Sequence, residues 1–78
     1  MPTVKARKPQ DIAAVIKAAR EDASLSQGEL AERLAFSRDY MTHLESGNET
    51  LYTNRLFRTL HELGITMSLT YRDVDADS

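Results

Sequence analysis

The chain has 78 residues, enough for one domain but too few to bury a large core, so stabilisation by a second copy is expected. It has no cysteine, which excludes a disulfide framework and a thiolate metal site. The net charge of −2 is unevenly distributed: residues 1–20 carry five basic side chains against one acidic side chain, and the last six residues include three aspartates. Neither an apolar export signal nor a run of about eighteen apolar residues is present, so we expect a cytoplasmic protein with no membrane association.

The N-terminal segment, residues 1–9, is predicted to be a flexible basic arm. Its cations, Lys5, Arg7 and Lys8, suit contact with phosphates, although arms of this kind are often only solvated chain ends. A first amphipathic helix begins near Pro9 and ends near Ala23. Its apolar residues recur at helical spacing: Ile12, Val15, Ile16 and Ala19.

Two short helices follow. In "SLSQGELAERL" Ser26 and Glu29 form an S-x-x-E capping box, which predicts a second helix running to about Leu34. After the connection "AF", Ser37 is placed to cap a third helix, "RDYMTHLES", which Gly47 ends. Because its apolar residues lie three apart and point inward, the third helix presents a polar outer side formed by Arg38, Asp39, Thr42 and His43.

The last elements are a fourth helix and a strand. The fourth helix is predicted to begin at Thr53 as its cap and to end at Gly64, with a buried face of Leu56, Phe57, Leu60 and Leu63. Residues 65–72 alternate as a half-buried strand does, with Ile65, Met67, Leu69 and Tyr71 on one face. No second segment shows this alternation, so the partner strand is expected outside the chain. The acidic tail, residues 73–78, is predicted to be disordered.

Two short helices joined by a tight turn and braced by flanking helices form a helix-turn-helix pattern over residues 10–64. The segment "LSQGELAERLAFSRDYMTHLESG", residues 25–47, resembles the helix-turn-helix core of the lambda-type repressor (Cro/C1, XRE-like) family. The C-terminal "RLFRTLHELGITMSLTYR" most resembles the HipB-like antitoxins of that family. The resemblance implies a mostly α, four- to five-helix, lambda-repressor-like DNA-binding domain with one C-terminal β-strand that pairs across a homodimer.

The resemblance also implies roles for individual residues. The start of the third helix would meet base edges through Arg38, Asp39 and His43, with Thr42 beside them. Arg38 can donate two parallel hydrogen bonds to guanine, whereas Asp39 can only accept, for example from cytosine. Tyr40 and Thr42 could touch the DNA backbone or a thymine methyl group. The residues expected at the DNA backbone are Gln27, Ser26, Ser37, Tyr40, Asn48 and the arm cations.

Two residues depart from the family pattern. Ala35 stands at the turn where members often carry glycine, which implies strain of about 1–2 kcal/mol if the backbone there is left-handed. Glu49 stands where members commonly carry a basic residue, and its charge would repel a phosphate. Contact with the DNA backbone is therefore expected chiefly from the arm and Gln27.

The lone strand has two explanations. It can pair antiparallel with its own copy across a two-fold axis, which would place two recognition helices about 34 Å apart for a palindromic double-stranded operator. The alternative is an extended tail packed on its own subunit.

Three functions remain open. The resemblance to HipB-like antitoxins implies a type II toxin-antitoxin system in which the protein represses its own operon and binds a kinase-like toxin. A phage or host repressor without a toxin is the first alternative. The second is chiefly a protein-interaction module that uses the acidic segments. No catalytic motif is present, so we expect neither an enzyme nor a cofactor or metal.

Overall fold

A computed structural model describes residues 1–72 of the chain, and the predicted acidic tail lies outside them. The elements follow in the order β1 (Thr3–Ala6), α1 (Pro9–Asp22), α2 (Gln27–Leu34), α3 (Arg38–Ser46), α4 (Leu51–Glu62) and β2 (Met67–Thr70). The predicted mostly helical architecture is confirmed, and α2 with α3 forms the helix-turn-helix.

The helix starts are set by local capping. Ser26 Oγ accepts from the Glu29 backbone N–H at 3.0 Å, and the Glu29 carboxylate accepts from the Ser26 N–H at 3.0 Å, so the predicted capping box is present. Ser37 Oγ likewise accepts from the Tyr40 N–H at 3.1 Å at the start of α3. Sequence pattern alone places these two helix starts correctly, since each cap is a single serine directly before the helix.

The predicted start of α4 is wrong. Thr50, not Thr53, is the cap: its Oγ1 accepts from the Thr53 N–H at 3.1 Å, while the Thr50 N–H donates to Thr53 Oγ1 at 2.9 Å. The two threonines form a reciprocal capping pair, and Thr53 is its inner member. The helix therefore begins at Leu51, which adds most of one turn, and Leu51 and Tyr52 in that turn are exposed.

The prediction that the C-terminal strand lacks a partner within its own chain is also wrong. β2 pairs antiparallel with β1, and the register joins Thr3 to Thr70 and Ala6 to Met67. The Thr3 and Thr70 hydroxyls lie 3.1 Å apart, and the Tyr71 N–H donates to the Pro2 carbonyl beyond the strand ends. Residues 3–6 of the supposedly flexible arm are thus a strand, which the sequence concealed because four residues with one buried side chain show no readable alternation.

The strand face predicted from alternation is confirmed in part. Met67, Leu69 and Tyr71 are half-buried, and the intervening Ser68 and Thr70 are exposed. Ile65 lies before β2 and is exposed.

The core is small. The buried apolar residues among those described are Ala6, Ala13, Ala31, Met41 and Phe57. Of the face predicted to be buried on α4, only Phe57 is buried and Leu60 is half-buried, whereas Leu56 and Leu63 are exposed. The helix is amphipathic as predicted, but Leu51 and Tyr52 in its first turn are exposed as well.

Candidate nucleic-acid interface

The turn between α2 and α3 spans Ala35 to Ser37. Ala35 has φ 58°, the left-handed conformation in which a side chain is strained. The Phe36 N–H donates to the Ala31 carbonyl at 2.8 Å, which closes the end of α2. Ala31 and Met41, both buried, lie on the inner sides of the two helices, so α3 is turned with its polar side outward.

A buried ion pair fixes α3 to α1. Arg20 Nε donates to Glu45 Oε2 at 2.6 Å and Nη2 donates to Oε1 at 2.9 Å, while Nη1 donates to the Leu25 carbonyl at 2.6 Å. The Glu45 side chain is only 2% exposed and that of Arg20 10%. One guanidinium thus joins α1, α3 and the segment before α2 with bidentate geometry, which restricts rotation of α3.

The same carboxylate is electrostatically stabilised in its charged form. Hydrogen bonding to Arg20 lowers the pKa of the Glu45 carboxyl below its ordinary value, against the opposing effect of burial, and a further hydrogen bond from Gln27 lowers it again. The Glu45 carboxyl is therefore more acidic in the folded protein than an ordinary glutamate.

Gln27 links α2 to α3. Its amide nitrogen donates to Glu45 Oε1 at 3.2 Å, and its amide oxygen accepts from the Thr42 hydroxyl at 3.1 Å. Sequence reasoning placed Gln27 and Thr42 at the DNA but did not foresee that they bind each other. Because an amide group has two N–H donors, one remains for a phosphate after the bond to Glu45.

The candidate base-reading residues lie together on the first two turns of α3. Arg38, Asp39, Thr42 and His43 are all exposed. No ion pair joins Arg38 to Asp39 in the part of the chain that the structure describes. The two charged groups are therefore not held in contact with each other, and both remain available to base edges.

The candidate backbone-binding residues are more dispersed. Ser26 and Ser37 use their hydroxyls as caps, which leaves the first backbone N–H groups of α2 and α3 as anion-binding donors. Asn48 is exposed after α3. Glu49, whose charge would repel a phosphate, accepts a hydrogen bond from Gln10 Nε2 at 2.8 Å. Its carboxylate is therefore directed toward the start of α1.

The arm is anchored at both ends. Lys5 lies in β1 opposite Ser68, and the Arg7 and Lys8 backbone N–H groups donate to Asp11 Oδ2 at 2.7 and 3.2 Å. All three cationic side chains are exposed. Their backbone is positioned by the sheet and by the start of α1, so they cannot sweep freely as a disordered arm does.

Sequence reasoning missed an aromatic pair beside the predicted interface. The Phe36 and Tyr40 rings lie 5.3 Å apart, nearly perpendicular at 86°, and both are exposed. Phe36 has no predicted role at the interface, and its contact with Tyr40 was not predicted from the sequence. A large aromatic residue in a three-residue turn with no room to bury it was the available signal.

Residues 1–72 contain no cluster of three or more acidic or histidine side chains able to hold a metal ion. Within the same residues, no helix has the length and apolar character needed to cross a membrane.

Two helices in helix-turn-helix arrangement, with the second held by an ion pair and presenting an exposed polar side, define a DNA-binding domain of the XRE-like type. Residues 11–63 match the helix-turn-helix domain family, and since this is more than half of the chain, the protein belongs to that family. Searches of curated proteins and of solved structures gave no match. The family assignment supports a DNA-binding regulator rather than an enzyme.

Proposed function

We propose that the protein is a sequence-specific transcriptional repressor that binds a palindromic operator as a homodimer. The observation that carries this proposal is the exposed start of α3, where Arg38, Asp39 and His43 project from a helix fixed by the Arg20–Glu45 ion pair. A rigidly held helix with unpaired polar side chains is suited to insertion into the major groove.

The chemistry of these side chains defines the proposed base contacts. Arg38 would donate to O6 and N7 of guanine, a bidentate contact worth about 1–3 kcal/mol of discrimination. Asp39 would accept from cytosine N4, and His43, one helical turn further, would reach the next base pair. The N-terminal N–H groups of α2 and the second amide N–H of Gln27 would hold adjacent phosphates.

Apolar side chains exposed on and after α4 support the proposed homodimer. Tyr52 and Leu56 lie along one side of α4, and Leu63 follows as its C-cap residue; all three are exposed together with Ile65. The two-stranded sheet has the order β1-β2, so one edge of β2 is unpaired within the described chain. Antiparallel pairing of that edge with the same edge of a second copy would continue the sheet and bring the two α4 surfaces into the interface.

We further propose that the repressor acts as a HipB-like antitoxin with a kinase-like toxin as partner. This rests on the C-terminal resemblance, namely an amphipathic helix followed directly by a strand. Expression with the kinase-like product of a neighbouring reading frame should yield a stable complex and relieve growth inhibition. A neighbourhood of phage genes would favour a repressor without a toxin, and a complex that never binds DNA would favour an interaction module.

The decisive test is selection of binding sites from randomised duplex DNA, followed by titration of the best site. We expect a two-fold symmetric site with half-sites about one helical turn apart. Arg38→Ala should weaken this site about 5- to 150-fold while changing affinity for random DNA much less, because a base contact supplies discrimination.

Arg33→Ala is the matched control, since Arg33 is an exposed cation on α2 outside the candidate base-reading residues. It should leave the preference for the selected site unchanged. Equal weakening of selected and random DNA by Arg38→Ala would refute base reading, and recovery of no motif at low or near-physiological salt would refute specific DNA binding by the isolated protein.

A further inference from the structure

We propose that Phe36 and Tyr40 form an apolar surface that reads a thymine methyl group in each half-site. The inference rests on the proposed function. It extends the thymine contact that the family resemblance suggests for Tyr40 to a surface formed by two paired rings, and it gives Phe36 a role. It concerns one chemical feature of the operator: the C5 methyl of a thymine in the major groove.

The first step is the exposure and order of the pair. Phe36 is 43% exposed and Tyr40 51%, yet the rings meet edge to face with centroids 5.3 Å apart. Each ring limits the rotation of the other, so little side-chain freedom is left to be lost on binding. Such a pair presents a fixed apolar surface to whatever approaches it.

The second step is the position of the pair. Phe36 is held at the turn by the bond from its N–H to the Ala31 carbonyl, and Tyr40 lies in the first turn of α3. At about 100° per residue, Arg38 and Tyr40 are about 200° apart around the helix axis, with Asp39 between them. The polar outer side of α3 therefore has Arg38 at one flank and the aromatic pair at the other.

The third step is the chemistry of the major groove. Its floor displays hydrogen-bond donors and acceptors and one apolar group, the thymine C5 methyl. Aromatic rings placed over donors or acceptors would remove water without replacing its hydrogen bonds, whereas contact with a methyl group has no such cost. The pair therefore favours an A·T base pair with its methyl toward the rings.

The width of α3 gives the expected distance along the DNA between the thymine and the guanine. A helix with side chains is about 10 Å wide and successive base pairs rise about 3.4 Å, so the thymine should lie about two to three base pairs from the guanine bound by Arg38. A second protein docking on the rings is the competing explanation, and it predicts no dependence on any DNA methyl group.

The test removes the methyl groups one at a time. In the selected operator, each thymine of a half-site is replaced by uracil, which lacks only the C5 methyl, and the affinity of the unaltered protein is measured. We expect about 4-fold weaker binding at one position per half-site, the amount that corresponds to one buried methyl group. Uracil between the two half-sites is the DNA control and should have no effect.

Protein variants then assign the contact. Phe36→Ala and Tyr40→Ala should bind the thymine and uracil operators equally, whereas Arg38→Ala should retain the 4-fold preference for thymine. Phe36→Leu keeps an apolar side chain at the turn and should retain part of the preference, which separates loss of the contact from a folding defect.

The outcomes separate the two proposals. If a palindrome is selected but no uracil substitution weakens binding, the thymine assignment is overturned and the repressor proposal stands. If Phe36→Ala and Tyr40→Ala both keep the thymine preference, a different side chain reads the methyl and the assignment is again overturned. If no operator is selected at all, the repressor proposal fails and the thymine assignment fails with it.

Discussion

The two halves of the molecule differ in how far they are completed by their own chain. In α1–α3, polar side chains meet partners from neighbouring elements: Arg20 binds Glu45, Glu45 binds Gln27, and Gln27 binds Thr42. In α4, the residues after it and the sheet, apolar side chains such as Tyr52 and Leu63 are exposed to solvent. One edge of β2 is unpaired within the described chain.

The difference suggests that the two halves have different roles, one in orienting α3 and the other in the proposed dimer. The orientation of α3 is determined by contacts within one chain. In the proposed dimer, the spacing between the two α3 helices would instead be determined by the interface between two copies. Mutations in the internal polar network of the first half should therefore act on folding, and mutations in the exposed apolar surface of the second half on the proposed assembly.

The largest expected effect comes from Arg20→Met in the completed half. It leaves the Glu45 carboxylate buried without its cation, so we expect the melting temperature, followed by circular dichroism, to fall by more than about 10 °C. Arg33→Met, at an exposed position on α2, should change it by less than about 2 °C. Adding Glu45→Gln to Arg20→Met should recover part of the lost melting temperature, because it removes the unpaired charge. An unchanged melting temperature for Arg20→Met would mean that the ion pair does not stabilise the fold.

The next effect should come from Leu63→Arg in the incomplete half. Leu63 is 67% exposed, so the substitution should leave the monomer folded but place two like charges in the proposed dimer interface. Sedimentation should show the dimer dissociation constant raised at least about 100-fold with an unchanged helical spectrum.

Leu34→Arg is the matched control for assembly, because Leu34 is also an exposed leucine but lies at the end of α2. It should keep the dimer intact. A Leu63→Arg protein that sediments as the wild type does would mean that α4 is not part of the interface.

A smaller effect should appear as a pH dependence of stability. Because the pKa of Glu45 is lower in the folded protein than in the unfolded chain, the unfolded state takes up a proton first as the solution is acidified. The melting temperature should thus be steady near neutral pH and fall by several degrees as the pH drops through and below the ordinary glutamate range.

Glu45→Gln should flatten this dependence. Some pH dependence of the melting temperature should remain, since the hydrogen bond from the Ser26 N–H also lowers the pKa of Glu29. An identical slope in the wild type and Glu45→Gln would show that the buried pair does not govern acid stability.

The smallest effect should come from Ala35→Gly at the turn. Ala35 has φ 58°, where glycine lacks the penalty of about 1 kcal/mol that a side chain brings, so the melting temperature should rise by about 4 °C. Ala23→Gly, at φ −82°, should not stabilise the protein. A loss of stability in Ala35→Gly would show that the alanine methyl contributes contacts that outweigh the strain.

Some features encoded by residues a few positions apart were predictable. The caps at Ser26 and Ser37 and the outward side of α3 follow from spacing alone, whereas the cap of α4 was misplaced from Thr50 to Thr53. The family resemblance supplied the candidate reading residues, which stay a prediction. The network around Glu45 was not predicted, because it joins Arg20 to a residue 25 positions away and leaves no periodic signal. Pairing of β1 with β2 was hidden for the same reason.

The exposure of α4 was hidden for another reason. Apolar periodicity shows which side of a helix avoids water but does not identify what covers it. Leu56 and Leu63 carry the same pattern as Phe57 and Leu60, yet Phe57 is buried and Leu60 half-buried, whereas Leu56 and Leu63 are exposed.

The sheet also has a consequence for the order of folding. The Thr3–Thr70 contact joins residues 67 positions apart, whereas the helices and their caps form between near neighbours. Closing so long a loop costs more entropy than forming a helical turn, so β1 should dock last, after α1–α4 are assembled. Since β2 emerges from the ribosome only after α1–α4, a nascent chain should form its helix-turn-helix before it could form the proposed dimer.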